Sequence, residues 1–300
     1  MSKPQFPPWP SFDQEEADAV RDVLLSNKVN YWTGDKGRKF EEEFAEWVGT
    51  KHAVALSNGT VALEFSFRAL GIGVGDVGYD EIIVTSRTFL ASVSAIINVG
   101  ANPVFVDLDR DSQNITAETI EPAITNNTKA IMPVGLYGQP ADMDEINEIA
   151  MQYNLKVIID GAQSFGATYK NKAEVHHCGI YTTSFFPAKP LGCYGDGGAV
   201  FTNNDGYAEK INMMRVHGQN KRYHHKLIGM GGRLDTIQAA VLLAKLRHYK
   251  KDLQGRQDVA KLYSQNLSVS FAVREIRRGR RSAWAQYTVR ISNRDQVQEK

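Results

Sequence analysis

With 300 residues, 42% of them hydrophobic and 23% charged, the chain has the composition of a folded globular protein with room for about two domains, which excludes a disordered tail or linker. Its 35 Lys and Arg against 34 Asp and Glu leave a formal charge of +1, too little to draw the molecule towards nucleic acid or an anionic membrane, so an anionic substrate has to be met by local cations. The two cysteines, Cys178 and Cys193, lack metal or redox spacing, and the first ten residues lack the apolar core of a signal peptide, so a cytoplasmic protein with reduced thiols is expected.

In chain order, a proline-rich arm precedes a helical segment from Gln14 to Leu25 and a second from Gly37 to Val48, whose Phe40, Phe44, Trp47 and Val48 share one face. Seven short apolar runs follow: Ala53 to Leu56, Ile82 to Thr85, Pro103 to Val106, Ala130 to Val134, Lys156 to Ile159, Thr182 to Phe185 and Ala199 to Phe201. The earlier ones alternate with helical patterns at Val61 to Leu70, Phe89 to Asn98, Ala117 to Ile124 and Met143 to Tyr153. Strand and helix in alternation predict an α/β fold with a mainly parallel seven-stranded sheet covered by helices on both faces. A long helical pattern then runs from Leu234 to about Leu267, and the remaining stretch turns strand-like from Ala283 to Ile291. This divides the chain into an arm and large domain over residues 1–240 and a bridging helix with a smaller C-terminal α+β domain over 241–300.

Three segments carry chemistry. Lys189 lies between Pro187 and Pro190, after an apolar run and before the glycine-rich turn Gly192-Cys193-Tyr194-Gly195, so the backbone around it is fixed and ligand approach is easy. A lone lysine is ordinarily a solvated surface group, and its neighbours overturn that default. Leu155 to Gln163 reads as a buried parallel strand ending in Asp160, at the sheet edge where open α/β folds bind ligands. His52 to Leu56 runs through Ser57-Asn58-Gly59-Thr60 into a helix, a junction that offers free amides and hydroxyls to an anion. An amine, a carboxylate and an anion cradle are what pyridoxal 5'-phosphate requires.

On these residues the chain resembles the DegT/DnrJ type of nucleotide-sugar aminotransferases, fold-type I pyridoxal-phosphate enzymes, over nearly its whole length. The resemblance implies that Lys189 of the F-F-P-x-K-x-L-G run bonds covalently to the cofactor, and that Asp160 of D-x-A-Q pairs with the pyridine nitrogen. It implies that Gln163 contacts the ring oxygen, that Gly59, Thr60 and Ser184 hold the phosphate, and that Phe89 stacks on the ring. It also implies a homodimer, glutamate as amino donor and a nucleotide-linked keto sugar as acceptor. Relatives with histidine in place of the lysine carry out dehydration, so Lys189 favours amine transfer.

The segment Arg215 to His225 combines three cations with imidazoles and a tyrosine; Arg222, Tyr223 and His224 are the expected substrate contacts, with a solvated basic loop as the equally weighted alternative. Zinc is disfavoured at His176-His177 and His224-His225, because neighbouring side chains diverge and no Cys or carboxylate completes a tetrahedral set. The run from Arg215 to Ala240 is similar to the subgroup that aminates 3-keto UDP-N-acetylglucosaminuronate. Departures accompany this. Gly231 stands where the family commonly has an asparagine that reaches across the dimer to the partner's phosphate, the N-terminal third resembles a different subgroup, and the turn Gly75 to Asp80 is slightly long. Relatives also continue past the point where this chain stops within the small domain. Another pyridoxal-phosphate reaction on a sugar and a non-catalytic paralogue are the alternatives.

Overall fold

The computed structural model describes residues 9–73, 78–267 and 271–299, so most of the N-terminal arm and the first half of the turn from Gly75 to Asp80 lie outside the described residues. All seven expected apolar runs form strands: β1 (His52–Leu56), β2 (Glu81–Thr85), β3 (Asn102–Val106), β4 (Thr128–Met132), β5 (Lys156–Asp160), β6 (Ile180–Ser184) and β7 (Gly198–Thr202). They make one sheet in the order β1-β7-β6-β5-β4-β2-β3. Its pairs are parallel except around β7, which runs antiparallel to both β1 and β6.

Side-chain alternation sorts the strands onto two cores. Val54 and Leu56, Ile82 and Val84, Met132, Ile158 and Val200 pack on one face, while Ala55, Ile83, Ile131, Ile159 and Phe201 pack on the other. Both faces are buried, which is why the sequence shows these strands as continuous apolar runs. Helices α3 (Gly59–Ala69), α4 (Leu90–Asn98) and α7 (Asp205–Met214) supply the first face. Helices α2 (Lys36–Val48), α6 (Met143–Gln152) and α8 (Thr236–Asn266) supply the second, where Phe44, Trp47, Phe165, Phe185 and Tyr249 form an aromatic cluster. Helix α1 (Gln14–Ser26) lies along α8, and Lys245 of α8 approaches Glu16 of α1 at 3.8 Å.

Some expectations need correction. The helix at Ala117 stops at Ile120, and Glu121–Ala123 continues as a single 3₁₀ turn carrying Pro122, which supplies no amide and disfavours a helical residue before it. Asp205–Met214 was not anticipated, although Asn204 caps it by accepting from the Tyr207 amide at 3.0 Å. In the stretch from Ala283 to Ile291 only Val289–Arg290 forms a strand, paired with Ala272–Val273. Trp284 and Tyr287 instead stack on each other at 5.4 Å, and the Trp284 indole donates to Gln257 of α8 at 3.1 Å.

Candidate active site

The carboxyl ends of the parallel strands form one edge, and the chemistry-bearing residues are arranged along it in strand order. After β1, Asn58 caps α3 by accepting from the Val61 amide at 2.9 Å, and its carbonyl accepts from Ala62 at 3.1 Å. The Gly59 and Thr60 amides find no acceptor among the described residues, so two donors at a helix N-terminus remain available. Leu56 and Ser184 both pair with Gly198, which brings the end of β6 against this turn. A Cβ on Gly59 would lie 2.8 Å from that of Ser184, so only glycine permits the approach. The Gly59-Thr60 turn and Ser184, more than a hundred positions apart in sequence, are thus neighbours.

Asp160 closes β5 and is buried. Its Oδ1 accepts from the Ala162 amide at 3.1 Å, and its Oδ2 accepts from the Ser92 hydroxyl of α4 at 2.7 Å. Ser92 in turn shares a hydrogen bond with the Thr88 hydroxyl at 2.8 Å, one turn earlier. Three residues after Asp160, Gln163 accepts from the Tyr137 amide at 2.6 Å. Tyr137 follows β4 with φ +58° and has Arg87 and the buried Arg274 against its ring at 5.7 and 5.6 Å. Ser92, Thr88 and Tyr137 were given no role by the sequence reading; Thr88 lies just before the extended Phe89 cap of α4 and meets Ser92 of its first turn, a contact that helical spacing does not mark.

Lys189 follows β6 in a tight turn in which its amide donates to the Phe186 carbonyl at 2.8 Å. Burial pulls its ammonium below the ordinary lysine range, and the charge of Asp160 opposes part of that pull. The carboxylate and the amine therefore share one electrostatic neighbourhood. Lys189 borders a cavity of about 1380 Å³ lined also by Trp9, Phe12, Arg256, Trp284 and Tyr287, with Asp160 outside its lining. Phe89 stands two residues after Arg87 at the start of α4, with 71% of its surface uncovered, an apolar ring open at the ligand edge.

A buried network underlies the Asp160 turn. Glu174 receives hydrogen bonds from the Ser164 and Tyr181 hydroxyls, and its second oxygen has no partner among the described residues. Burial pushes its carboxyl up to about 8 against those hydrogen bonds, and the Asp160 charge adds to the rise. Tyr181 also donates to the Gly161 carbonyl, and its ring fills the space where a Gly161 side chain would stand.

The basic segment behaves differently. Arg215 turns inward, donating to the Ala55 carbonyl at 2.9 Å, to the Tyr31 hydroxyl at 2.6 Å and to Glu41, so it is not one of the free cations expected there. Arg222, Tyr223 and His224 lie on an exposed hairpin, Gln219–Lys221 against His224–His225, and none of them lines the Lys189 cavity. Gly231 is exposed, and a Cβ there would meet nothing closer than 3.6 Å, so an asparagine would fit.

The cradle, amine and carboxyl fit pyridoxal phosphate: the close approach at Gly59 sets the Ser184 hydroxyl beside the free Gly59 and Thr60 amides as donors for a phosphate, and Asp160 is held with its carboxyl oriented by two donors. Residues 10–300 match the family model described as the DegT/DnrJ/EryC1/StrS aminotransferase family. The chain belongs to this aminotransferase family. The aminotransferase is 46% identical to the UDP-2-acetamido-2-deoxy-3-oxo-D-glucuronate aminotransferase of Pseudomonas aeruginosa over 89% of this chain and 74% of that one. It superposes on a DegT DnrJ EryC1 StrS aminotransferase from Brucella abortus with a TM-score of 0.89 at 38% identity, covering 95% and 77% of the two chains. NtdA of Bacillus subtilis, solved with bound cofactor PMP, is 28% identical with a TM-score of 0.86, over 96% of this chain and 66% of that one. The aminotransferase is accordingly a pyridoxal-phosphate enzyme with the expected α/β architecture. No helix among the described residues is long and apolar enough to cross a membrane.

Proposed function

We propose that this aminotransferase moves the amino group of L-glutamate to a keto carbon of a nucleotide-linked sugar in glycan precursor synthesis, and that a 3-keto UDP-N-acetylglucosaminuronate is its acceptor. The observation that carries the reading is Lys189 with its ammonium destabilised by burial beside the charge of Asp160. The similarity to the Pseudomonas aeruginosa enzyme supports the acceptor.

Each residue then has a task. When bound, pyridoxal phosphate supplies an aldehyde for amine exchange and a ring that delocalises the electron pair left on the donor's α-carbon. The Gly59 and Thr60 amides and the Ser184 hydroxyl bind its phosphate, and Asp160 holds a proton at the ring nitrogen. Gln163, fixed by the Tyr137 amide, orients the ring oxygen, and Phe89 covers one ring face. Lys189 would hold the cofactor covalently and, freed by the donor amine, would serve as the base that moves the proton between the donor's α-carbon and the cofactor's aldehyde carbon. A lowered ammonium pKa raises the fraction of free amine able to do both.

The same proposal makes the protein a cytoplasmic homodimer, with Arg222, Tyr223 and His224 binding the sugar nucleotide in the partner's site, and divides the chain at residue 240. Val241, Leu242, Leu246, Tyr249 and Leu253 still pack in the core of the sheet and burial along α8 thins only after Leu253, which favours a handover on this helix further along than residue 240. The test is borohydride reduction of the pyridoxal-phosphate-loaded protein followed by peptide mass mapping. A pyridoxyl group on Lys189 that disappears when glutamate is added first is the expected result; no adduct on a folded sample would reject the reading.

A further inference from the structure

We infer that Arg87 is the residue that binds the α-carboxylate of the amino donor. This rests on the proposed transamination and adds to it a specificity-determining residue.

The position of Arg87 along the ligand edge is the first support. Strand order puts the Gly59 cradle after β1, Asp160 at the end of β5, Tyr137 after β4 and Arg87 after β2. At about 4.8 Å per strand, Arg87 stands roughly 10 Å from Asp160 and roughly 24 Å from the start of the sheet edge at β1. The edge therefore carries two anion-binding features, one on each side of the carboxyl group, and the cofactor phosphate accounts for only the first.

The second support is how Arg87 is held. Its side chain forms no hydrogen bond or ion pair among the described residues, and it is exposed. Its guanidinium nevertheless lies within cation–π range of the Tyr137 ring, at 5.7 Å. That ring is braced by Arg274, which is buried and donates to the Ser112 and Leu136 carbonyls, both at 2.7 Å. One residue later Thr88 joins the Ser92 hydroxyl that donates to Asp160. A guanidinium within cation–π range of an aromatic ring and without a hydrogen-bonded partner keeps its donors free for a bidentate carboxylate.

The third support is chemical. Tyr137 donates its amide to Gln163, the residue assigned to the cofactor's ring oxygen. In pyridoxal phosphate that oxygen is attached to the carbon next to the one bearing the aldehyde, where the donor's amine must arrive. The donor's carboxylate is one bond from its α-carbon, so a cation on the ring of Tyr137, the residue whose amide holds Gln163, lies on the side of the site from which it can be received. A nucleotide diphosphate, many bonds from the keto carbon of the acceptor, has no such reason to reach this point.

The experiment compares wild type, Arg87→Ala and Arg87→Lys, each loaded with pyridoxal phosphate. Two readouts are taken: glutamate dependence of the single-turnover cofactor absorbance change, and calorimetric binding of succinate, a carboxylate that cannot react. Expected is a 10- to 100-fold rise in glutamate half-saturation for Arg87→Ala, a matching loss of succinate affinity and a smaller loss for Arg87→Lys, which keeps the charge but not the fork. The cofactor spectrum before glutamate and the KM for the keto sugar should stay within about twofold of wild type. Unchanged glutamate and succinate binding in Arg87→Ala overturns the assignment. So does a rise in KM confined to the acidic sugar, which would give Arg87 to the acceptor. If wild type binds succinate through Arg87 yet shows no turnover with glutamate, the transamination reading fails while the carboxylate site stands.

Discussion

Lys189 and Glu174 show opposite uses of burial around one carboxyl group. For Lys189, desolvation favours the neutral amine that catalysis needs, and the charge of Asp160 limits how far this goes. For Glu174, desolvation and the same Asp160 charge favour the neutral acid, so its carboxyl titrates near 8 instead of 4.5. Between those values the native state binds one more proton than the unfolded chain, so this group makes stability fall by about 1.4 kcal/mol per pH unit as pH rises through that window. Below 4.5 both states are protonated and the contribution is constant; above 8 both are ionised and it is constant again. Glu174→Gln keeps the shape and the two hydroxyl partners without the titrating proton. Urea denaturation from pH 5 to 8 should therefore show a shallower loss of stability for the variant than for wild type. Identical slopes would show that Glu174 is not the group responsible.

Helix α3 joins the strand register to the anion cradle, because Asn58 ends the turn after β1 and its side chain satisfies the Val61 amide while leaving those of Gly59 and Thr60 free. Asn58→Ala should cost about 1 kcal/mol of stability through the lost cap and weaken retention of pyridoxal phosphate, measured by dialysis and absorbance. Retention equal to wild type would separate the cap from the cradle. Elements of this kind were legible in the sequence because their causes are local: buried apolar runs for the strands, Ser57-Asn58-Gly59-Thr60 for the turn, prolines and glycines around Lys189. The resemblance added assignments for Asp160, Gln163 and Phe89. What stayed hidden depends on contacts between distant segments. Ser92 meets Asp160 across 68 positions, and Arg215 meets Ala55 across 160, so nothing near either residue in the chain marks its partner. Trp284 and Tyr287 looked like strand residues by type, yet aromatic stacking and α8 took them instead.

At the scale of the whole molecule, the exposed hairpin carrying Arg222, Tyr223 and His224 is where the proposed dimer can be tested. Arg222 sits 5.2 Å over the Tyr223 ring, Tyr223 has φ +64° and 77% of its surface uncovered, and the Lys189 cavity is lined by α8, the N-terminal arm and the C-terminal segment instead. On the proposed reading, the hairpin binds the sugar nucleotide in the partner's Lys189 site. Mixed dimers then provide a direct test. A Lys189→Ala chain and an Arg222→Ala/Tyr223→Ala chain are each deficient alone, the first in chemistry and the second in acceptor binding. In a heterodimer one site joins an intact Lys189 to an intact hairpin, while the other lacks both. Random assortment makes half the dimers mixed, so co-refolded chains should recover about a quarter of the wild-type sites. Titrating active sites in the mixture measures that fraction. Recovery near a quarter requires a hairpin contributed across the dimer, whereas activity no greater than the sum of the separate variants places hairpin and lysine in the same chain's site.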